Sequence, residues 1–357
     1  MADWDKSIDM GNYGQSNRNW GGMHVNPAVF LPTACISFAV ILFSLIAPKA
    51  STDLFAALRS GAVSHFDWFF MTSGNLLLLF CVVVAASPLG KIRLGGKGAT
   101  PDYSRLSWFA MLFGAGMGIG LVFYGVGEPV THFTSAMAGG PAAPLGGAVG
   151  DAAGARSIAM AATIFDWALH PWAIFAVTGL ALAVFNFNFN MPLSMRSAFY
   201  PLVGKAVWGR TGDVLEVLAV LATIFGLATS LGLGAQQAMA GISYLYGVTS
   251  SSLTILALIF VMAGITFLSI RGGINRGIRI LSEVNMWVAF ALLIFVLTTG
   301  STLQLLGDLA SNIYNYLKLL PALSNPVGRT DTGFYNDWSV YYWAWWMSWA
   351  PFVGMFM

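Results

Sequence analysis

Charged residues are scarce in this chain, which excludes an ordinary soluble protein. Of its 357 residues only 9% are charged and 57% are hydrophobic, whereas roughly a quarter of a typical soluble domain is charged. The net charge of +2 is too small to indicate nucleic-acid binding. A porin-type barrel would need alternating segments of ~10 residues, and the chain shows instead recurring apolar runs of about 18–25 residues. Each run can cross a hydrocarbon layer as a helix, so we predict an all-α polytopic membrane protein.

Cysteine and histidine are also rare. Cys35 and Cys81 both lie inside apolar runs, where they behave as small hydrophobic residues and do not indicate a redox compartment. The four histidines show no metal-binding spacing, and no serine nucleophile motif accompanies them, which disfavours a membrane-embedded enzyme. A channel is disfavoured because neither repeated filter carbonyls nor a charged pore ring is present.

Eight stretches are candidate membrane spans: Val29–Ala47, Trp68–Ser87, Leu106–Gly127, Ile158–Phe185, Val214–Leu245, Leu253–Ile270, Ile280–Leu297 and Val340 to Met357. With the polar N-terminal tail inside the cell, most of the 17 lysines and arginines fall in inside segments. Since such residues concentrate on the cytoplasmic side, we predict a cytoplasmic N-terminus. Between spans seven and eight, apolar residues recur every three or four positions, which predicts an amphipathic helix on the outer face. It could gate a pathway or serve as a packed connector.

The third span is interrupted by five glycines: Gly114, Gly116, Gly118, Gly120 and Gly125. Pairs of small residues four apart allow close helix packing. Glycines at alternate positions exceed what packing requires, so we favour a discontinuous helix. In secondary transporters such helices expose backbone groups to a substrate or ion.

The fourth span contains TIFDWALHPWAIF, in which we expect Pro171 to kink the helix. The kink could turn Trp167 and Trp172 inward together. Asp166 and His170 lie one helical turn apart, and ionisable residues inside a membrane are functional candidates because their burial is costly. The alternative is a polar pair whose members satisfy each other at the bend.

The stretch YYWAWWMSWAPF, residues 341–352, places Trp343, Trp346 and Trp349 at every third position with Trp345 beside them. An interfacial aromatic belt accounts for the outer aromatic residues but not for the deeper Trp346 and Trp349. Deep aromatic rings suit quaternary ammonium groups, which are held by cation–π contacts of about 0.5–2 kcal/mol each.

Four segments, GAGMGIGLVFYGVGEP, DWALHPWAIF, ATIFGLATSLGLGAQQ and YWAWWMSWAPFVGMF, resemble signature segments of the betaine/choline/carnitine transporter family. The resemblance implies a LeuT-like fold of two inverted five-helix repeats behind two peripheral helices. It also implies a homotrimer in the cell inner membrane that takes up an onium compound with sodium or protons. No cofactor is expected beyond the coupling ion, for which we expect sodium, and no nucleic acid.

On this resemblance the chain divides into a cytoplasmic tail (1–28), two peripheral helices (29–104), the first repeat (105–300), an outer amphipathic helix and loop (301–337) and the start of the second repeat (338–357). Family members continue for four more helices, so we expect this sequence to be a truncated form of a longer protein.

The resemblance also assigns site residues. The aromatic box maps to Trp167, Trp172 and Trp346, with Phe175 where betaine carriers commonly have tyrosine; Trp345 and Trp349 line the pathway. Backbone contacts to the substrate come from Gly116, Met117 and Gly118. Gly120 stands where choline-type members carry aspartate, which favours a zwitterion over a cation. Asp166 replaces a common histidine, and if it points inward it restores affinity for a cation or takes part in proton coupling.

For sodium, the resemblance implies one site at the carbonyls of Gly114 and Met117. A second site corresponds to Thr223 and Phe352, but Leu227 replaces its other threonine. Asn285 occupies the position of an arginine found in sodium-independent members, which favours sodium. Within the class we expect glycine betaine or a related zwitterion. Choline, carnitine, dimethylsulfoniopropionate and proton coupling stay open as alternatives.

Overall fold

The computed structural model describes residues 9–11, 13–14, 17–116, 118–273 and 277–357. Its only strands within these ranges are β1 (Arg18–Trp20) and β2 (Met23–Val25), a short antiparallel hairpin. The first seven helices are α1 (Pro27–Ile46), α2 (Pro48–His65), α3 (Asp67–Ala86), α4 (Arg105–Gly116), α5 (Gly118–Ala138), α6 (Ala152–Trp167) and α7 (Leu169–Ala183). The remaining helices are α8 (Met195–Ala198), α9 (Tyr200–Val203), α10 (Arg210–Tyr246), α11 (Ser252–Arg271), α12 (Arg279–Thr299), α13 (Thr302–Ser324), α14 (Thr332–Phe334) and α15 (Tyr341–Phe356).

Shorter helical turns complete the fold. They are 3-10 turns at Pro88–Lys91, Pro144–Gly146 and Gly204–Trp208, and π turns at Val184–Asn188 and Tyr335–Val340. The second π turn joins α14 to α15 with helical backbone angles at both junctions. The structure thus has one helical stretch from Thr332 to Phe356.

Among the described residues, six helices are long and apolar enough to cross a membrane: α1, α3, the α6–α7 unit, α10, α11 and α12. The α4–α5 pair, bent by 64°, is a seventh candidate if it counts as one span. These helices confirm the predicted all-α polytopic membrane protein. The stretch predicted as the eighth span is α15, which has 16 residues in this chain.

The helix breaks follow the residues that weaken a helix. The third span is broken between Gly116 and Gly118, as the alternate glycines predict. The fourth span is broken at Ala168, whose φ of −101° and ψ of −112° are not helical. This break lies three residues before Pro171 because proline has no N–H to donate to the carbonyl of Trp167.

Two of the longer helices lie between spans in the chain. The predicted amphipathic helix is confirmed as α13, which packs against α6 and forms an ion pair of 2.6 Å between Asp308 Oδ2 and an Arg156 nitrogen. The other, α2, was not predicted as a helix. It begins at Pro48, a residue tolerated in the first turn because that N–H needs no helical partner.

The buried core lies where α15 packs against α7, α10, α4 and α3. Trp343, Trp346 and Trp349 are all buried there, so the three-residue repeat is a buried face. The helices approach closely: a Cβ on Gly354 would lie 2.9 Å from Thr178 Cγ2 and 3.1 Å from the Gly179 nitrogen. By contrast, α11 and α12 have no buried residue among those described and present apolar surface to their surroundings.

Candidate functional site

A cavity of about 560 Å³ lies beside the bend between α4 and α5. Its walls come from this bend and from α10, α11, α12 and α15. The volume is within the ~300–1,000 Å³ typical of small-molecule sites. Its lining is Met111, Gly114, Ala115, Gly116, Gly118, Ile119, Gly120, Leu227, Ser230, Leu231, Met262, Thr266, Ser269, Ile270, Ile278, Leu281, Ser282, Asn285, Trp345, Trp346, Trp349, Phe352 and Phe356.

One side of the cavity is an aromatic wall, which we define as Tyr342, Trp345, Trp346 and Trp349 of α15. The rings of Trp345 and Trp346 stack with centroids 4.8 Å apart at an interplanar angle of 15°. Tyr342 stacks on Trp346 at 5.6 Å, also at 15°. Of these four residues, the three tryptophans line the cavity.

Two of the three indole N–H groups of the wall are hydrogen-bonded to neighbouring backbone. Trp346 Nε1 donates to the Asp166 carbonyl at 3.0 Å, and Trp349 Nε1 donates to the Ala115 carbonyl at 2.9 Å. These bonds fix α15 to the break in the fourth span and to the last turn of α4. With these two N–H groups satisfied, both rings meet the cavity through aromatic carbon surface.

The predicted box residues are only partly brought together. Trp167 meets Trp346 edge to face at 5.1 Å, and Phe175 meets it at 5.9 Å. Trp172 contacts Phe175 at 6.0 Å and lines a second, apolar cavity with residues of α3, α4, α7 and α12. Trp172 and Trp346 therefore face different cavities, because the break at Ala168 turns the first residues of α7 away from α6.

Two glycines of the bend lie so close to these indole rings that a larger side chain would crowd them. A Cβ on Gly116 would lie 3.2 Å from Trp172 Cη2, and one on Gly120 would lie 3.0 Å from Trp167 Cη2. At Gly118 a Cβ would meet nothing within 4 Å. The predicted backbone contact at Met117 lies outside the described residues.

Asp166 is buried, and its neighbours are not those expected. Its side chain lies with Glu128 and His132 of α5, and the ligand atoms of the three are all within 4.8 Å of one another. The alternative interpretation, in which Asp166 and His170 satisfy each other as a polar pair, is wrong. His170 Nε2 is hydrogen-bonded to Asn75 Oδ1 at 2.9 Å, because the helix break at Ala168 separates the two residues.

The predicted sodium ligands lie in different surroundings. Gly114, Leu227 and Phe352 line the cavity. The hydroxyl of Thr223 donates to the Ala219 carbonyl of its own helix at 2.9 Å. Asn285 also lines the cavity.

Several polar residues near the wall were missed by the sequence analysis. Glu128 Oε2 accepts hydrogen bonds from Trp167 Nε1 at 2.8 Å and from the Tyr342 hydroxyl at 2.7 Å, so one carboxylate ties α5 to α6 and α15. Glu128 and His132 lie one turn apart beyond the glycine-rich segment. Two ionisable residues four apart, directly after the candidate span Leu106–Gly127, were the signal that could have found them.

Comparisons with known proteins identify the family of the chain. A sequence model of the betaine/carnitine/choline transporter family matches residues 28–357 of this chain. A glycine betaine/proline/choline transporter of Vibrio parahaemolyticus is 48% identical over 94% of this chain and 62% of its own length. Glycine betaine transporter 1 of the same organism is 47% identical over 98% of this chain and 66% of its own length.

A more distant relative, the glycine betaine transporter OpuD of Bacillus subtilis, is 36% identical over 92% of this chain and 64% of its own length. The chain thus spans roughly two thirds of the length of these relatives. All three are transporters by name, and none of the three is an enzyme. The chain belongs to the betaine/carnitine/choline transporter family.

Proposed function

We propose that this protein is part of a secondary active transporter that takes up glycine betaine or a related zwitterionic onium compound. The observation that carries the proposal is the lining of the cavity. Among the lining residues that the structure describes, none is charged, while three tryptophans contribute aromatic surface. An onium group is attracted by aromatic faces, and a zwitterion brings its own counter-charge into a site that has none.

A net cation such as choline is the second candidate, because choline appears in the name of the Vibrio relative that is 48% identical. The position of Asp166 disfavours it. Its carboxylate lies with Glu128 and His132, and its contact with the wall is the backbone carbonyl that accepts from Trp346. Choline in this cavity would therefore lack a carboxylate partner at close range. Proline in the same name is itself a zwitterion at neutral pH.

Within this proposal the onium group lies against Trp346 and its stacked neighbour Trp345, with Trp349 further along the path. Trp167 and Phe175 support the Trp346 ring at its edge. Gly116, Gly118 and Gly120 supply backbone at the bend. We assign Trp172 a supporting position next to Phe175 and Gly116.

We propose sodium as the coupling ion. Gly114 and Met117 would form one site, and Thr223 with Phe352 a second one. Asn285 at the cavity supports this choice, because an arginine there would supply a fixed positive charge in place of an ion. A homotrimer in the inner membrane, with the N-terminus in the cytoplasm, belongs to the same proposal.

The test is uptake of radiolabelled glycine betaine into proteoliposomes, with the sodium and proton gradients imposed separately. We expect saturable accumulation that requires the sodium gradient, with choline a poorer competitor than glycine betaine. Accumulation driven by the proton gradient alone would contradict sodium coupling. Equal competition by choline would contradict selection for a zwitterion.

A further inference from the structure

Three residues with metal-ligating side chains meet on the side of the wall away from the cavity. Glu128 and His132 lie one turn apart on α5, so their side chains share one face, and Asp166 comes from the last turn of α6. Their fractional exposures are 0%, 1% and 0%. Since the ligand atoms lie within 4.8 Å of one another, a single ion could contact all three.

Four side-chain polar atoms of this group lack hydrogen-bond partners. In the described part of the chain, both Asp166 oxygens, Glu128 Oε1 and His132 Nε2 are buried and unpartnered. The one ion-pair contact inside the group is 3.5 Å, between His132 Nε2 and Glu128 Oε1. The Ser339 hydroxyl lies beside Asp166, outside hydrogen-bond geometry but close enough to interact with its carboxylate, as does the Arg329 guanidinium. Two carboxylates that stay ionised in such a buried place are costly unless enough positive charge compensates them.

The surroundings hold the three side chains in place. Glu128 Oε2 accepts from Trp167 and Tyr342, which leaves Oε1 for the group. The His132 ring is packed edge to face against Phe334 at 5.2 Å and Trp338 at 4.6 Å. Such outer hydrogen bonds and packing orient the ligands of metal sites.

We propose that Glu128, His132 and Asp166 form a site for a divalent transition-metal ion of the Zn²⁺ or Co²⁺ class. An imidazole nitrogen with carboxylate oxygens is a ligand set for these ions, and a charge of +2 balances two carboxylates. In a tetrahedral site with bonds of about 2.0–2.2 Å, ligand atoms lie about 3.3–3.6 Å apart. The 3.5 Å contact between His132 Nε2 and Glu128 Oε1 already has this spacing, and Asp166 has to approach these two atoms by at most about 1.5 Å. Ser339 is placed to add a fourth oxygen.

The test uses Co²⁺ as the probe and does not depend on transport. The protein is purified through a tag without histidine, treated with a chelator and dialysed against cobalt chloride in detergent. We expect one Co²⁺ per chain by elemental analysis, visible d–d absorption, and a higher thermal unfolding midpoint with cobalt. Asp166→Asn and His132→Gln should each weaken cobalt binding at least tenfold, as ligand loss does in other sites.

Two matched controls use the exposed histidines of the chain. His24→Gln and His65→Gln remove imidazoles far from the group in sequence and exposed at the surface, and each should leave cobalt binding unchanged. Absence of stoichiometric cobalt would overturn the proposal, as would displacement of cobalt by excess sodium chloride or unchanged binding in Asp166→Asn. If Asp166→Asn does not fold, His132→Gln and the cobalt-dependent midpoint of the unsubstituted protein decide.

Discussion

The two sides of the aromatic wall differ in the charged groups that they contain. On the cavity side, Trp345, Trp346 and Trp349 border a space without a charged residue among those described. On the other side, Glu128, His132 and Asp166 are buried together with unpartnered polar atoms. The first side is suited to a ligand that carries a positive and a negative charge of its own. The second is the side where we propose that a bound cation compensates the carboxylates.

The wall connects the two sides through its hydrogen bonds. Tyr342 donates to Glu128, and Trp346 donates to the Asp166 carbonyl. Trp167, which supports the Trp346 ring, is also held by Glu128. Tyr342, Trp346 and Trp167 are thus held from the acidic side, whereas Trp349 is held by the Ala115 carbonyl at the bend. Most of the wall is therefore positioned by residues that do not line the cavity.

The largest expected effect is on stability, at the acidic side. Glu128→Ala removes the acceptor of two buried donors, and unsatisfied buried donors cost about 1–3 kcal/mol each. We expect the free energy of unfolding to fall by about 2–5 kcal/mol, measured by reversible unfolding in detergent. The matched control is Glu283→Ala, which removes a part-exposed acceptor of the Ser107 hydroxyl. A loss in Glu283→Ala equal to that in Glu128→Ala would remove the distinction between the two sides.

The next effect concerns ring faces at the cavity. Trp346→Leu removes one cation–π surface, so we expect about tenfold weaker glycine betaine affinity, or about 1.4 kcal/mol, in a binding assay with reconstituted protein. Trp287→Leu is the control, because Trp287 on α12 is 56% exposed and does not line the cavity. Similar losses in both variants would mean that the tryptophans act only in packing.

A charge placed in the cavity should alter selectivity. Gly118 lines the cavity, and a Cβ there meets nothing within 4 Å, so a side chain fits without displacing an indole. Gly118→Asp should raise choline affinity relative to glycine betaine by roughly fivefold, since a carboxylate attracts the cation and repels the zwitterion's carboxylate. The uncharged Gly118→Asn separates charge from size. Equal selectivity in the two variants would refute the electrostatic explanation.

The smallest expected effect is on sodium dependence. Thr223→Ala should raise the sodium concentration for half-maximal uptake about threefold, because it removes one oxygen of the proposed second sodium site. Thr229→Ala is closely matched: its hydroxyl also donates to the carbonyl four residues earlier, at 2.9 Å, on the same helix. A shift in Thr229→Ala as large as in Thr223→Ala would show that the loss of this helical hydrogen bond, rather than an ion ligand, is responsible.

Much of the fold could be predicted because it rests on local patterns. The length of the apolar runs predicted the membrane helices, and the alternate glycines predicted the break between Gly116 and Gly118. The three-residue spacing identified the buried face of α15. The helix α2 was missed because its residues mix apolar and polar types without a long apolar run, and its bounds depend on the turns at Pro48 and Phe66.

From the sequence alone, the membrane helices, their weak points and the resemblance to the family could be predicted. Which side chains meet became clear only in the folded chain. The tertiary structure separated Trp172 from Trp346, paired His170 with Asn75 instead of Asp166, and brought Asp166 to Glu128 and His132. The physical reason is that residue spacing fixes which side chains share one face of a helix. Which other helix packs on that face depends on the angles at the α4–α5 bend and at Ala168.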